Sequence, residues 1–116
     1  MVTYVLPLVG VEIREYLDPT GRATFAEWFD SLNAPAAAKV TTALVRLEQG
    51  NFSNAKGVGA GIYECRIDFG PGYRVNFGKD GETIVILLGG GSKKRQNRDI
   101  QSALNYWKAY KHRKER

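Results

Sequence analysis

With 116 residues the chain has room for one domain, since two independent hydrophobic cores would not fit in it. Its composition, 43% hydrophobic and 25% charged, is ordinary for a globular protein, and no apolar run approaches the roughly 18 residues of a membrane-crossing helix. A net charge of +5 and a pI near 9.5 favour a polyanionic partner, either a nucleic acid or a small acidic protein, while the lone Cys65 excludes an internal disulfide and a cysteine-based zinc site.

The stretch Met1–Gly10 is mildly apolar but has no basic start and no small-residue cleavage site. No secretory signal is read there, and the expected compartment is the cytoplasm. Val11 to Tyr16 alternates apolar and charged residues, the pattern of a half-buried strand, and Asp18-Pro19-Thr20-Gly21 ends it. Thr24 followed by Glu27 reads as a capping box that opens a helix. Phe25, Trp28, Phe29 and Leu32 give that helix one aromatic face. Asn33 caps a second helix with Pro35 in its first turn, Ala37, Val40, Leu44 and Leu47 form its apolar stripe, and Gly50 stops it. Two helices with so short a joint predict an antiparallel pair.

Asn51 to Gly61 is glycine-rich and reads as a loose connection. A phosphate-binding loop is not supported by Gly57, Gly59 and Gly61, because no strand is read before them and no Gly-Lys-Ser/Thr follows. The second half is rich in strand signals. Ile62 to Phe69 and Tyr73 to Phe77 both alternate around Gly70-Pro71-Gly72, which reads as a three-residue hairpin connection. Thr83 to Leu88 is a continuous apolar run suited to the middle of a sheet, and Gly89-Gly90-Gly91-Ser92 reads as the break after it. A last helix carries Ile100, Ala103, Leu104 and Trp107 on one face, and residues 111–116 form a charged tail expected to fray. The fold expected over 1–116 is therefore α/β of the α+β kind. It comprises an N-terminal strand, a helical hairpin packed on a small, twisted, largely antiparallel sheet, and a C-terminal helix.

The hairpin holds the candidate chemistry. Alternation places Tyr63, Cys65, Ile67 and Phe69 on one face and Glu64, Arg66 and Asp68 on the other. In the second strand Arg74 and Asn76 stand opposite the face of Tyr73, Val75 and Phe77. Pairing Phe69 with Tyr73 keeps the apolar faces together, sets Asp68 across from Arg74 and Arg66 across from Asn76, and leaves two arginines diagonal on one polar face. Such a pair can hold a phosphate. The same pattern also describes a merely solvated sheet face, in which Asp68–Arg74 is a surface pair worth about 0–1 kcal/mol. Lys93, Lys94 and Arg95 follow the last strand and can close over that face. Cys65, on the core face, is read as a packed small residue, and the single histidine, His112, excludes a two-histidine ribonuclease mechanism.

The run Gly61-Ile62-Tyr63-Glu64-Cys65-Arg66-Ile67-Asp68-Phe69-Gly70-Pro71-Gly72-Tyr73-Arg74-Val75 resembles the signature of the phage-type "addiction module killer" toxins, a HigB-like branch of the RelE/ParE superfamily. Gly50-Asn51-Phe52, Lys56, Gly59, Leu87-Leu88, Gly90-Gly91, Lys93, Gln96, Asp99-Ile100 and Tyr106-Trp107 extend the likeness over about residues 12 to 110. The resemblance implies the toxin of a type II toxin–antitoxin pair, a ribosome-dependent, metal-independent mRNA endoribonuclease that stops translation. It implies catalytic roles for Arg74, Arg66 and Lys93 and RNA contacts for Lys56, Lys94 and Arg95. Glu64 or a lysine of depressed pKa would act as base. Glu64 stands where RelE has a basic residue, and Ile100 where RelE has a C-terminal tyrosine, so the resemblance implies either a different arrangement of acid–base chemistry here or a heavier dependence on the ribosome. The implied partners are a cognate antitoxin, the ribosome with its mRNA, and operator DNA reached only through the antitoxin complex. No cofactor, metal or membrane is implied. The same fold also serves ParE-like inhibitors of DNA gyrase, and a third class would bind RNA without cutting it.

Overall fold

The protein is described by a computed structural model covering residues 10–114; the stretch 1–9, read above for a signal, and residues 115 and 116 of the tail lie outside the described residues. In chain order the elements are β1 (Glu12–Glu15), α1 (Thr24–Asp30), α2 (Ala34–Glu48), β2 (Ala55–Gly59), β3 (Ile62–Ile67), β4 (Tyr73–Asp80), β5 (Ile84–Ser92), a single 3₁₀ turn (Lys93–Arg95) and α3 (Gln96–Lys114). The five strands form one sheet in the order β1-β5-β4-β3-β2; β1 runs parallel to β5 and the other neighbours are antiparallel. The α+β expectation holds.

Both faces of the sheet are covered, which gives three layers. α1 and α2 close one face over Val40, Leu47, Val75, Phe77, Val85 and Leu87; α3 closes the other over Ile62, Ile86, Leu88, Ala103 and Trp107. α1 lies chiefly on β5 and α2 on β3. Asn33 caps α2 as read, its Oδ1 accepting from the Ala36 N–H at 2.9 Å. The far end of α2 closes as a Schellman motif: Gly50 at φ +84° donates to Leu47 and Asn51 donates to Arg46. The buried stripe runs through Ala36, Val40 and Leu47 with Ala43 and Leu44 half-buried, so Ala36 rather than Ala37 faces the core.

Five sequence expectations are corrected. The Thr24–Glu27 capping box does not form. The Thr24 hydroxyl donates instead to the Leu88 carbonyl at 2.6 Å, and Glu27 is taken by Arg22. The reason is a bulge in β5: Asn76 pairs with Gly89 and Phe77 with Leu87, so Leu88 has no β4 partner and its carbonyl needs a donor from elsewhere. The glycine-rich 51–61 segment holds strand β2, an edge strand bulged between Gly57 and Gly59. The triple glycine does not break β5 but runs within it. A Cβ on Gly90 would lie 2.3 Å from the Trp28 ring and one on Gly91 1.8 Å from the Asp99 carboxylate, so these residues are bare because α1 and α3 press on opposite faces there. Ile67, not Phe69, pairs with Tyr73, and five residues rather than three connect β3 to β4. The charged tail is helical as far as Lys114, where Arg113 donates to the Leu17 carbonyl and Lys114 pairs with Asp80.

Candidate functional site

The corrected register decides which side chains meet. Moving the pairing by two residues keeps every side chain on its face but changes its neighbour: Arg66 now stands directly across from Arg74, and Glu64 across from Asn76. Like charges in a direct cross-strand pair are destabilising, typically by a few tenths of a kcal/mol to about 1 kcal/mol. Arg66 is exposed whereas Arg74 is buried, with its side chain 9% exposed.

The polar face is not the solvated surface that alternation suggested, because α3 covers part of it. Glu64 and Asn76 are both buried. The Glu64 carboxylate accepts from Arg74 Nε at 3.1 Å and from Gln96 Nε2 at 3.1 and 2.9 Å, so the first residue of α3 and the guanidinium share one buried acid. Nε is the atom engaged, and the two terminal nitrogens of Arg74 are not consumed by Glu64. Asp68, read above as the partner of Arg74, makes no such pair; it lies in the β3–β4 connection. Nearby, Asp99 sits over Gly91 with Oδ2 buried and without a hydrogen bond among the described residues. Burial raises its carboxyl above the ordinary aspartate value against the pull of Arg95 and Arg98.

Around this pair opens a cleft of about 710 Å³, between α2 and the β3–β4 hairpin. Its cations are Lys39 and Arg46 from α2, Lys56 from β2, Arg66 from β3, Arg74 from β4 and Lys93 from the 3₁₀ turn; Asp68 is the one acid that lines it. Lys93 is fixed by its own backbone, whose N–H donates to the Gly72 carbonyl at 2.8 Å. Of the residues singled out by sequence, Arg74, Arg66, Lys93 and Lys56 come together here. Lys94 and Arg95 line a second concavity of about 420 Å³ at the start of α3 with Gln96, Asn97 and Arg98, and Lys93 belongs to both. Glu64 lines neither.

Lys39 and Arg46 were missed by the sequence reading, although a signal was there. With Thr42 and Ala43 they occupy i, i+3, i+4 and i+7, one stripe of α2 beside its apolar face. Tyr73 also lines the cleft, its ring edge-on to Trp28 with centroids 6.3 Å apart. Cys65 is buried on the opposite face, where burial pushes its thiol up to about 11, so it is neither exposed nor ionised near neutral pH. His112 is exposed on the last turns of α3. No group of three or more His, Cys, Asp or Glu side chains that could hold a metal exists among the described residues, and no described helix is long and apolar enough to cross a membrane.

Residues 27–115 match the family model described as phage-derived Gp49-like protein (DUF891). A Haemophilus influenzae protein, itself uncharacterized, is 46% identical over 81 residues, which span 69% of this chain and 82% of that one.

Proposed function

The chain belongs to the phage-derived Gp49-like family, which is associated with RelE-like toxins of toxin–antitoxin pairs, and from that premise we propose that it is a HigB-like, ribosome-dependent mRNA endoribonuclease. The observation that carries this reading is the direct apposition of Arg66 and Arg74 in an open cleft with a single acid on its wall. Glu64 neutralises Arg74 through Nε, which leaves its terminal nitrogens and the unpaired Arg66 beside one another, and such a planar guanidinium pair suits the oxygens of one phosphate.

In the reaction the 2′-oxygen of the substrate ribose attacks the adjacent phosphorus. A 2′-O–P bond forms, the P–O5′ bond breaks, and the products are a 2′,3′-cyclic phosphate and a 5′-hydroxyl. Arg66, Arg74 and Lys93 stabilise the charge that gathers on the phosphoryl oxygens. The attacking hydroxyl gives its proton to a base and the 5′-oxygen takes one from an acid. Glu64, held under Gln96, orients Arg74 rather than facing the substrate, which leaves Asp68 and the cleft lysines, Lys93 and Lys56 among them, as proton-carrying groups on the cleft wall. Ribosomal positioning of the 2′-hydroxyl supplies what so sparse an acid–base set lacks, an effect worth about 7–11 kcal/mol in favourable cases. Lys56, Lys94 and Arg95 contact the RNA backbone, and an acidic antitoxin segment silences the protein by covering the same cations. Operator DNA is reached through that complex.

The test is a labelled transcript incubated with purified protein, with and without translating ribosomes. Cleavage only in the translating reaction supports the proposal. Broken DNA in growing cells with intact mRNA would instead favour gyrase inhibition.

A further inference from the structure

The cleft is longer than one phosphate requires. Its α2 wall carries Lys39 and Arg46 seven residues apart on one face, which at 1.5 Å per residue separates them by about 10 Å along the helix axis. Cations so spaced can each take a different phosphate of an extended strand. Both are exposed, and the Lys39 ammonium lies 5.5 Å from the centre of the Phe69 ring in the β3–β4 connection, so the stripe reaches the hairpin. Lys39, Arg46, Lys56, Arg66 and Lys93 gather on this one cleft and have no carboxylate partner among the described residues, so their charge is open to an anion. Tyr73, the first residue of β4, adds an aromatic side chain to the hairpin side of the cleft.

We infer that Lys39 and Arg46 form a flanking subsite that binds successive phosphates of a single RNA strand beside the phosphate held by Arg66 and Arg74. The inference rests on the nuclease reading for the identity of the central phosphate. Single-strand binders combine a basic groove that tracks the backbone with an aromatic side chain on which a base stacks, and this cleft holds both. An acidic peptide would use the cations but leave Tyr73 without a role. The two residues are binding groups, so they govern affinity and not the chemical step.

The experiment measures fluorescence anisotropy of labelled 2′-O-methyl RNAs, which cannot be cut, with the full chain over a range of salt concentrations. A trimer and an octamer are compared for the unmodified protein and for Lys39→Ala/Arg46→Ala. Alanine favours helix at both exposed positions, so an unchanged melting temperature certifies the fold. The unmodified protein should bind the octamer more tightly than the trimer. The double variant should lose most of that gain, keep its trimer affinity, and show a slope of log K against log salt shallower by about 1.4, at about 0.7 per single-strand phosphate contact. Equal slopes in the two proteins, or an octamer no tighter than the trimer, overturn the subsite. Stripe-dependent binding of an octaglutamate peptide but not of the octamer also overturns it, in favour of a protein occupant. Failure to cut mRNA during translation, with stripe-dependent RNA binding intact, removes the nuclease reading alone.

Discussion

The buried pair Glu64–Arg74 makes a quantitative prediction that separates structure from chemistry. Read as a surface pair with Asp68, Arg74 would contribute at most about 1 kcal/mol. Its actual partner is an acid whose side chain is 1% exposed, and breaking a buried pair from one side costs about 3–5 kcal/mol because the other charge is left uncompensated. Arg74 also lines the open cleft, so after Glu64→Ala its guanidinium can gain some hydration, which places that loss near about 3 kcal/mol. For a domain of this size that is a fall in melting temperature of about 12 °C. Arg74→Ala alone should destabilise similarly, so its loss of toxicity would not by itself prove a catalytic contact. The decisive variant is Glu64→Leu/Arg74→Met, which replaces both charges with apolar side chains of similar size and should melt at or above the unmodified temperature. If Arg74 meets the phosphate, this stable protein should still cut mRNA about 10²–10³-fold more slowly. Calorimetry and translation-coupled cleavage on the unmodified protein and these three variants give both numbers. A Glu64→Ala loss below about 1 kcal/mol would contradict a buried ion pair, and full cleavage by the stable double variant would remove Arg74 from the phosphate.

Asp99→Asn should raise the melting temperature at pH 7, because burial raises the folded pKa of Asp99 above its unfolded value. A raised carboxyl favours folding fully only below the unfolded pKa and loses that stability as pH rises through the folded one, so the gain from Asn should shrink as pH falls toward about 4 and be absent below it. Cys65, with its thiol pushed up to about 11, should react with iodoacetamide in the native protein at pH 8 only at the rate of unfolding; fast labelling seen by mass spectrometry would contradict its burial. Gly90→Ala places a methyl 2.3 Å from the Trp28 ring and should lower stability by about 1–3 kcal/mol through displacement of α1, with Trp28→Ala restoring part of the loss in a denaturant titration.

Much of the fold was legible because its signals are local. Period-two alternation assigned β3 and β4 their faces, and those assignments survived an error of two residues in register because such a slip preserves parity. Asn33 and Gly50 bounded α2 through hydrogen bonds that span only a few residues. The triple glycine misled because a missing side chain looks the same whether the chain turns or a neighbour presses against it. Only Trp28 and Asp99, 62 and 8 residues from Gly90 and Gly91, tell the two apart.

Residue order alone dictates which side chains share a face, where α2 begins and ends, and that the molecule carries an excess of cations. Tertiary structure alone decided what those side chains meet. The β3–β4 connection has five residues instead of three, and that length opposed Arg66 to Arg74. The docking of α3 buried Glu64 beneath Gln96 and turned a candidate base into the anchor of an arginine. The packing of α2 on the sheet brought Lys39 and Arg46, distant in the chain, to the wall of the same cleft. Alternation and capping act between near neighbours, so they can be read along the chain. Register and helix docking are set by the best burial of apolar surface over the whole molecule, which no single segment encodes.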